Sequence, residues 1–118
     1  MRFLLVEDND LLIEGLVMAL TDEGHEVFVS TEGRPAIGLV NHHRPDAVIL
    51  DISLPDLDGI QVAKFIRMDH PLLPIVFASG HDRDRPRITE AIDRKTAILR
   101  KPYEISALID TVRRLMAV

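Results

Sequence analysis

Ala47-Val48-Ile49-Leu50-Asp51-Ile52-Ser53-Leu54-Pro55-Asp56-Leu57-Asp58-Gly59 is the stretch that decides the fold. Four apolar residues with no polar alternation read as a strand covered on both faces. They deliver a carboxylate, Asp51, to the strand's end, and Pro55 and the Asp58-Gly59 pair then turn the chain sharply away. An acid placed there calls for a reason beyond solvation.

The same pattern repeats outward in both directions. Phe3 to Val6 is a second unbroken apolar run, ending in Glu7-Asp8-Asn9-Asp10. Leu12, Leu16, Ala19 and Leu20 then recur at helical spacing, with Asn9 or Asp10 as cap and Gly24 just past the end. Val27 to Val29 reads as a strand. The helix after it has Pro35 in an early turn, Ile37, Leu39 and Val40 as its apolar face, and Pro45 as its stop. Beyond Gly59, a helix buries Ile60, Val62, Ala63, Phe65 and Ile66 and ends before Pro71. Ile75 to Ala78 is the fourth strand, followed by Ser79-Gly80. Charged residues crowd positions 82–87 around Pro86, which predicts a mobile loop and then a short helix containing Ile88, Ala91 and Ile92. Ala97 to Leu99 is the fifth strand, closing on Arg100-Lys101-Pro102. Ile105, Leu108, Ile109, Val112, Leu115 and Met116 mark the last helix. Strands alternating with helices through short connections imply a doubly wound parallel α/β sheet, whose functional groups gather at the carboxyl ends of the strands.

Composition narrows the chemistry. The 118 residues form one domain, 1–118, with 47% hydrophobic and 28% charged residues. No cysteine is present, which excludes disulfides, zinc thiolate sites and thiol chemistry. A net charge of -5 argues against nucleic-acid or anionic-membrane binding. No apolar run approaches the roughly 20 residues of a membrane span, and no signal peptide precedes the first charges, so a cytoplasmic protein is expected. Met1-Arg2-Phe3 reads as a true start.

The residues after each strand form a set: Glu7 and Asp8, then Asp51, then Ser79, then Lys101. Taken singly, Glu7, Asp8 or Ser79 could cap a helix, and Lys101 could be a solvated charge. Together they put three carboxylates, a hydroxyl and an ammonium on one rim. Two like charges about 5 Å apart repel by roughly 3 kcal/mol at an effective dielectric near 20, so the acids need a cation. Mg2+ suits them, since it prefers hard oxygen ligands and is held by one or two carboxylates together with a phosphoryl oxygen. With no cysteine, and no histidine among the residues that directly end the strands, zinc and copper are disfavoured. A metal, a carboxylate, a hydroxyl and a lysine describe a site that receives a phosphoryl group. Asp51 would be the nucleophile, Lys101 would neutralise charge on the transferring oxygens, and Ser79 would donate a hydrogen bond to one of them.

Glu7-Asp8, Asp51 with Pro55 and Asp58-Gly59 behind it, Ser79-Gly80 and Lys101-Pro102 together resemble the receiver domain of bacterial two-component response regulators, over essentially the whole chain. The resemblance implies a flavodoxin-like, chemotaxis-regulator-like (βα)5 three-layer sandwich with strand order 2-1-3-4-5. It also implies that Asp51 accepts phosphate from the phosphohistidine of a sensor histidine kinase or histidine phosphotransferase. Asp8 and Asp51 would bind the Mg2+, the Ser53 backbone carbonyl would complete the protein ligands, and Glu7 would act through a metal-bound water. An output protein would read the face made by the fourth helix, fifth strand and fifth helix of a monomer or weak dimer. Nucleic acid and membrane are not expected as direct partners.

Three positions depart from the common pattern of that family. Ser79 stands for the usual threonine and keeps the hydroxyl. Ile98 replaces the Tyr or Phe that swings inward on activation, and Arg94-Lys95 replaces a Gly-Ala pair before the fifth strand. Phe77-Ala78-Ser79-Gly80 also resembles the Phe-Ala-Thr-Gly core of the FAT GUY group of single-domain regulators from alphaproteobacterial stress phosphorelays. The Pro-interrupted loop beyond Ser79 leads to a further expectation, that phosphorylation orders residues 80–87 without an aromatic swing. Among the histidines, 25, 42, 43, 70 and 81, only His81 lies close enough to Ser79 to overlook the site. Two other functions compete. An FMN-binding module is disfavoured because Glu7-Asp8-Asn9-Asp10 would repel a flavin phosphate. An aspartyl-phosphate hydrolase would want a second acid two residues after Asp51, where the chain has Ser53.

Overall fold

A computed structural model describes residues 1–118. Its elements alternate in the expected way: β1 (Arg2–Val6), α1 (Asp10–Asp22), β2 (Glu26–Ser30), α2 (Gly33–His43), β3 (Ala47–Asp51), α3 (Gly59–Asp69), β4 (Ile75–Ser79), a 3-10 turn (Asp82–Asp84), α4 (Arg85–Ala91), β5 (Thr96–Arg100) and α5 (Ile105–Ala117). All neighbouring strands pair in parallel, in the order β2-β1-β3-β4-β5. The order reverses between β1 and β3, and the site lies above that switch point.

Because strand side chains alternate, each inner strand feeds two cores. Phe3, Leu5, Ala47, Ile49 and Val76 pack with Leu20 of α1 and with Leu108 and Val112 of α5. Leu4, Val6, Val48, Leu50, Ile75 and Phe77 pack under α2, α3 and α4, against Val40, Val62, Ile66 and Ile88. This two-sided burial is why the strands read as unbroken apolar runs.

Helix ends are settled by named groups. Asn9 is the cap of α1, its Oδ1 accepting from the Leu12 amide at 3.1 Å, so neither Glu7 nor Asp8 is spent on capping. Gly24 takes φ of 87° past the helix end, a conformation open to glycine without a Cβ penalty. Asp58 caps α3 through the Ile60 amide at 2.8 Å. Asp56 reaches across to α2 and accepts from the amides of Gly33 and Arg34, at 2.7 and 2.8 Å. Those two bonds hold the Asp56 carboxyl below its usual range, with the Arg34 amide foremost. Arg67, near the end of α3, bonds Asp93 at 2.9 Å and Thr96 at 3.0 Å, stitching α3 to the entry of β5.

Several expectations about faces are corrected. The core-facing stripe of α1 is Ile13, Leu16, Val17 and Leu20, the first three half-buried and Leu20 fully buried, whereas Leu12 lies outside it. Phe65 is 49% exposed, because α3 already meets the sheet through Ile60, Val62, Ala63 and Ile66. Met116 and Ile92 are exposed as well. The stretch after Ser79 is wound rather than irregular: the 3-10 turn runs directly into α4, and Pro86 sits in the first helical turn, where its missing amide proton is not needed. Lys95, in place of the small residue expected there, is buried, and its Nζ donates to the carbonyls of Leu115 and Val118 at 2.7 and 2.9 Å, capping the end of α5.

Candidate functional site

Strand register assembles the rim. Val6 is level with Leu50 and Asp51 with Ala78, so Glu7, one residue beyond β1, comes alongside Asp51, the last residue of β3. Ser79 ends β4, and the Lys101 amide donates to the Ser79 carbonyl at 2.8 Å just beyond β5. Every sequence-predicted side chain is therefore at a strand's carboxyl end.

Lys101 is the hub of the acid corner. Its Nζ donates to Glu7 Oε1 at 2.5 Å and lies 3.4 Å from Asp51 Oδ2. The other Glu7 oxygen accepts from the backbone amides of Asp8 and Asn9, at 3.1 and 3.2 Å. Glu7 and Asp51 are both buried, and Asp8 is exposed. Burial alone would raise Glu7, but the Lys101 hydrogen bond and the Asn9 amide outweigh it and hold that carboxyl below its ordinary value. Asp51 goes the other way. Burial pushes its pKa up to about 6; Lys101 opposes this, and the like charge of Glu7 adds to it. Of the two buried acids, Asp51 keeps a proton more readily. The Ser53 amide donates to Asp51 Oδ1 at 3.2 Å and fixes the orientation of that carboxylate.

The turn behind Asp51 has a steric purpose as well. A Cβ on Gly59 would lie 2.1 Å from the Asp51 carbonyl oxygen, so only glycine lets α3 start this close to β3. The Gly59 amide donates to the Ile52 carbonyl at 2.9 Å, closing the loop that presents Ser53.

The donor set fits a hard divalent cation. Glu7, Asp8 and Asp51 each offer a carboxylate oxygen, and these oxygens lie within 4.8 Å of one another. One ammonium cannot balance three carboxylates, and the Ser53 carbonyl accepts no hydrogen bond within the chain. Oxygen-only donors with excess negative charge match Mg2+ rather than a soft metal.

Two contributors escaped the sequence reading. Tyr103, two residues past Lys101, lines a cavity of about 300 Å³ with Glu7, Leu12, Leu16, Lys101 and Pro102. Burial, then the charges of Glu7 and Asp51, raise its phenol far above the usual range, so it remains protonated. The second is Asp84, which is buried and accepts a hydrogen bond from the Ser79 hydroxyl at 3.2 Å. Inside a run of alternating charges it looks solvated, and only its place at the start of α4 turns it inward. His81 touches Ser79 through its backbone, its carbonyl accepting at 3.0 Å and its amide donating at 3.3 Å. Its side chain is exposed.

The sequence profile of the response regulator receiver domain matches residues 3–113. The chain belongs to that family. This receiver is 32% identical over 115 residues to Response regulator MprA of Mycolicibacterium vanbaalenii, an alignment covering 98% of this chain and 50% of that protein. It is 31% identical over 116 residues to the virulence transcriptional regulatory protein PhoP of Salmonella typhimurium, covering 98% and 52%. Among solved structures, a response regulator receiver protein from Sinorhizobium medicae superposes with a TM-score of 0.87 at 31% identity, over 100% of this chain and 95% of that one. NtrX from Brucella abortus gives 0.85 at 31%, over 98% and 27%. This receiver thus spans about half the length of the curated relatives it matches. It is a receiver domain of two-component signalling, a signalling domain rather than a conventional enzyme, and no helix is long and apolar enough to cross a membrane.

Proposed function

We propose that this receiver takes a phosphoryl group onto Asp51 from the phosphohistidine of a histidine kinase or histidine phosphotransferase. The observation that carries the reading is the ion triad, in which Lys101 bridges Glu7 and Asp51 at the mouth of the sheet. A carboxylate oxygen of Asp51 attacks phosphorus as the donor's P–N bond breaks, and the departing imidazole takes up a proton. Asp51 must be ionised to attack, and its pKa near 6 leaves that form predominant at pH 7. Lys101 is placed to leave Glu7 and pair with a phosphoryl oxygen, while the Ser53 amide holds the attacking carboxylate in place. Ser79 donates its hydroxyl proton to a second phosphoryl oxygen. Asp8, Asp51 and the Ser53 carbonyl would hold a Mg2+ ion, with Glu7 contributing through water. Bound there, the ion would neutralise the acid cluster and charge on the transferred oxygens.

The output face is made of α4, β5 and α5, since Ser79 and Lys101 lead directly into it. The 1–118 unit acts as one domain in the cytoplasm, as a monomer or weak dimer. It catalyses no more than its own phosphorylation and slow dephosphorylation, for no acid stands two residues past Asp51. A phosphotransfer profile against a panel of phosphorylated histidine kinases and phosphotransferases tests this. Transfer to wild type and none to Asp51→Asn is expected; equal labelling of the two would overturn it.

A further inference from the structure

The Ser79 hydroxyl has one proton to give, and the structure shows where it goes. Its acceptors are the His81 carbonyl at 3.0 Å and Asp84 Oδ2 at 3.2 Å, both on the α4 side of the rim. Asp84 is only 8% exposed and forms no salt bridge, although three arginines, Arg83, Arg85 and Arg87, lie within three residues of it in the sequence. The Ser79 hydroxyl is the single hydrogen-bond donor to its carboxylate. A buried carboxylate that loses its only donor is left with an unmet desolvation cost.

We propose that Asp84 is a positioning residue that competes with the phosphoryl group for the Ser79 hydroxyl proton, holding this receiver in its resting form. The inference rests on the reading above, in which Ser79 donates to the phosphoryl group. When that donation occurs, Asp84 loses its partner while sitting at the N-cap of α4, as the last residue of the 3-10 turn, where its amide also donates to the His81 carbonyl at 3.1 Å. Relief comes from turning the carboxylate out towards water, which moves the start of α4. The readout therefore needs no aromatic ring. The space between Ser79 and Ile98 agrees: it holds about 20 Å³, room for one water and not for an aromatic side chain.

Titration of the purified chain with beryllofluoride in excess Mg2+, by calorimetry, tests the competition. Asp84→Ala should bind about tenfold more tightly than wild type, the scale of one hydrogen bond to a charged acceptor. Asp84→Asn, which keeps an acceptor without the charge, should fall between. In a Ser79→Ala background, Asp84→Ala should change nothing, which a general loosening of α4 would not reproduce. Unchanged or weaker binding by Asp84→Ala, or the same gain without Ser79, overturns the proposal. If Asp84→Ala lacks a cooperative melt, Asp84→Asn decides in the same sense, a severalfold gain supporting the competition and none refuting it. Failure of wild type to bind at all, or equal binding by Asp51→Asn, would instead overturn the phosphoacceptor reading and this inference with it.

Discussion

The two corners of the rim are built differently. The acid corner, where β1, β3 and β5 end, is held by charge: a buried glutamate, a buried aspartate and a lysine in mutual contact, braced by three backbone amides. The corner at the end of β4 is held by a neutral hydroxyl, one buried carboxylate and a helix of 7 residues. Its outer ties, Arg87 to Asp58 and Arg100 to Asp82, lie in solvent. Charge in low dielectric is strong and stiff, whereas single hydrogen bonds and exposed pairs are weak and exchangeable. On the reading proposed above, the phosphoryl chemistry falls in the corner bound by charge, and the responding element in the corner held by single hydrogen bonds.

Lys101→Ala strikes the strong corner hardest. It leaves Glu7 and Asp51 facing each other without a cation, and a loss of about 3 kcal/mol at pH 7 is expected in urea denaturation. A loss below about 1 kcal/mol would mean that this corner is no more charge-bound than its neighbour.

The pH dependence of stability sharpens the same point. Asp51 has its pKa raised from 3.8 to about 6, so between those values the folded state binds more protons than the unfolded one. Stability from this group is fully present below pH 3.8 and is lost as pH rises through about 6. Glu7, lowered from 4.5, works in the opposite sense, its contribution being lost as pH falls below that value. Between pH 4.5 and 6 Asp51 favours the folded state increasingly on acidification, while His25, lowered from 6.5 by burial, acts in the opposite sense, so the Asp51 contribution is read as the difference between wild type and Asp51→Asn. Asp51→Asn should be more stable than wild type at pH 7, by about 1–3 kcal/mol. The gap should close on acidification towards pH 4. A gap independent of pH would contradict the assignment.

Magnesium should relieve the same strain. At roughly tenfold excess over its Kd, it should raise the melting temperature by about 5 °C in calorimetry. Asp8→Ala should lose that shift. An equal shift in the variant would place the ion elsewhere.

Smallest of all is Arg87→Ala, which removes a solvent-screened pair from the weak corner and should leave the thermal denaturation midpoint close to that of wild type. A clear drop would show that α4 is tied down more firmly than its surface contacts indicate.

The contrast between corners also explains what could be read from sequence. Asp51, Glu7 and Lys101 were legible because each ends an apolar run, and because like charges brought together by a parallel sheet demand a chemical reason. The strands were legible for a related cause, burial on both faces. Asp84 was not, since Asp82 to Arg87 alternates in sign and nothing local says which acid turns inward. Phe65 failed in the opposite direction: it has the right type and spacing for the core, but α3 fills its interface without it. Lys95 was legible only as a departure, its partners being carbonyls at the far end of α5, 20 and 23 residues away. Tyr103 carries no motif, and its closeness to Glu7 depends on how the chain turns after Lys101.

The central claim is that the charge-bound corner exists to receive a phosphoryl group at Asp51, and peptide-resolved mass spectrometry after phosphotransfer from a histidine kinase reads it directly. One hydroxylamine-labile phosphoryl group on the peptide containing Asp51, absent from Asp51→Asn and dependent on Mg2+, is the predicted result. Phosphate on another residue, or labelling that survives the Asp51→Asn substitution, would contradict it.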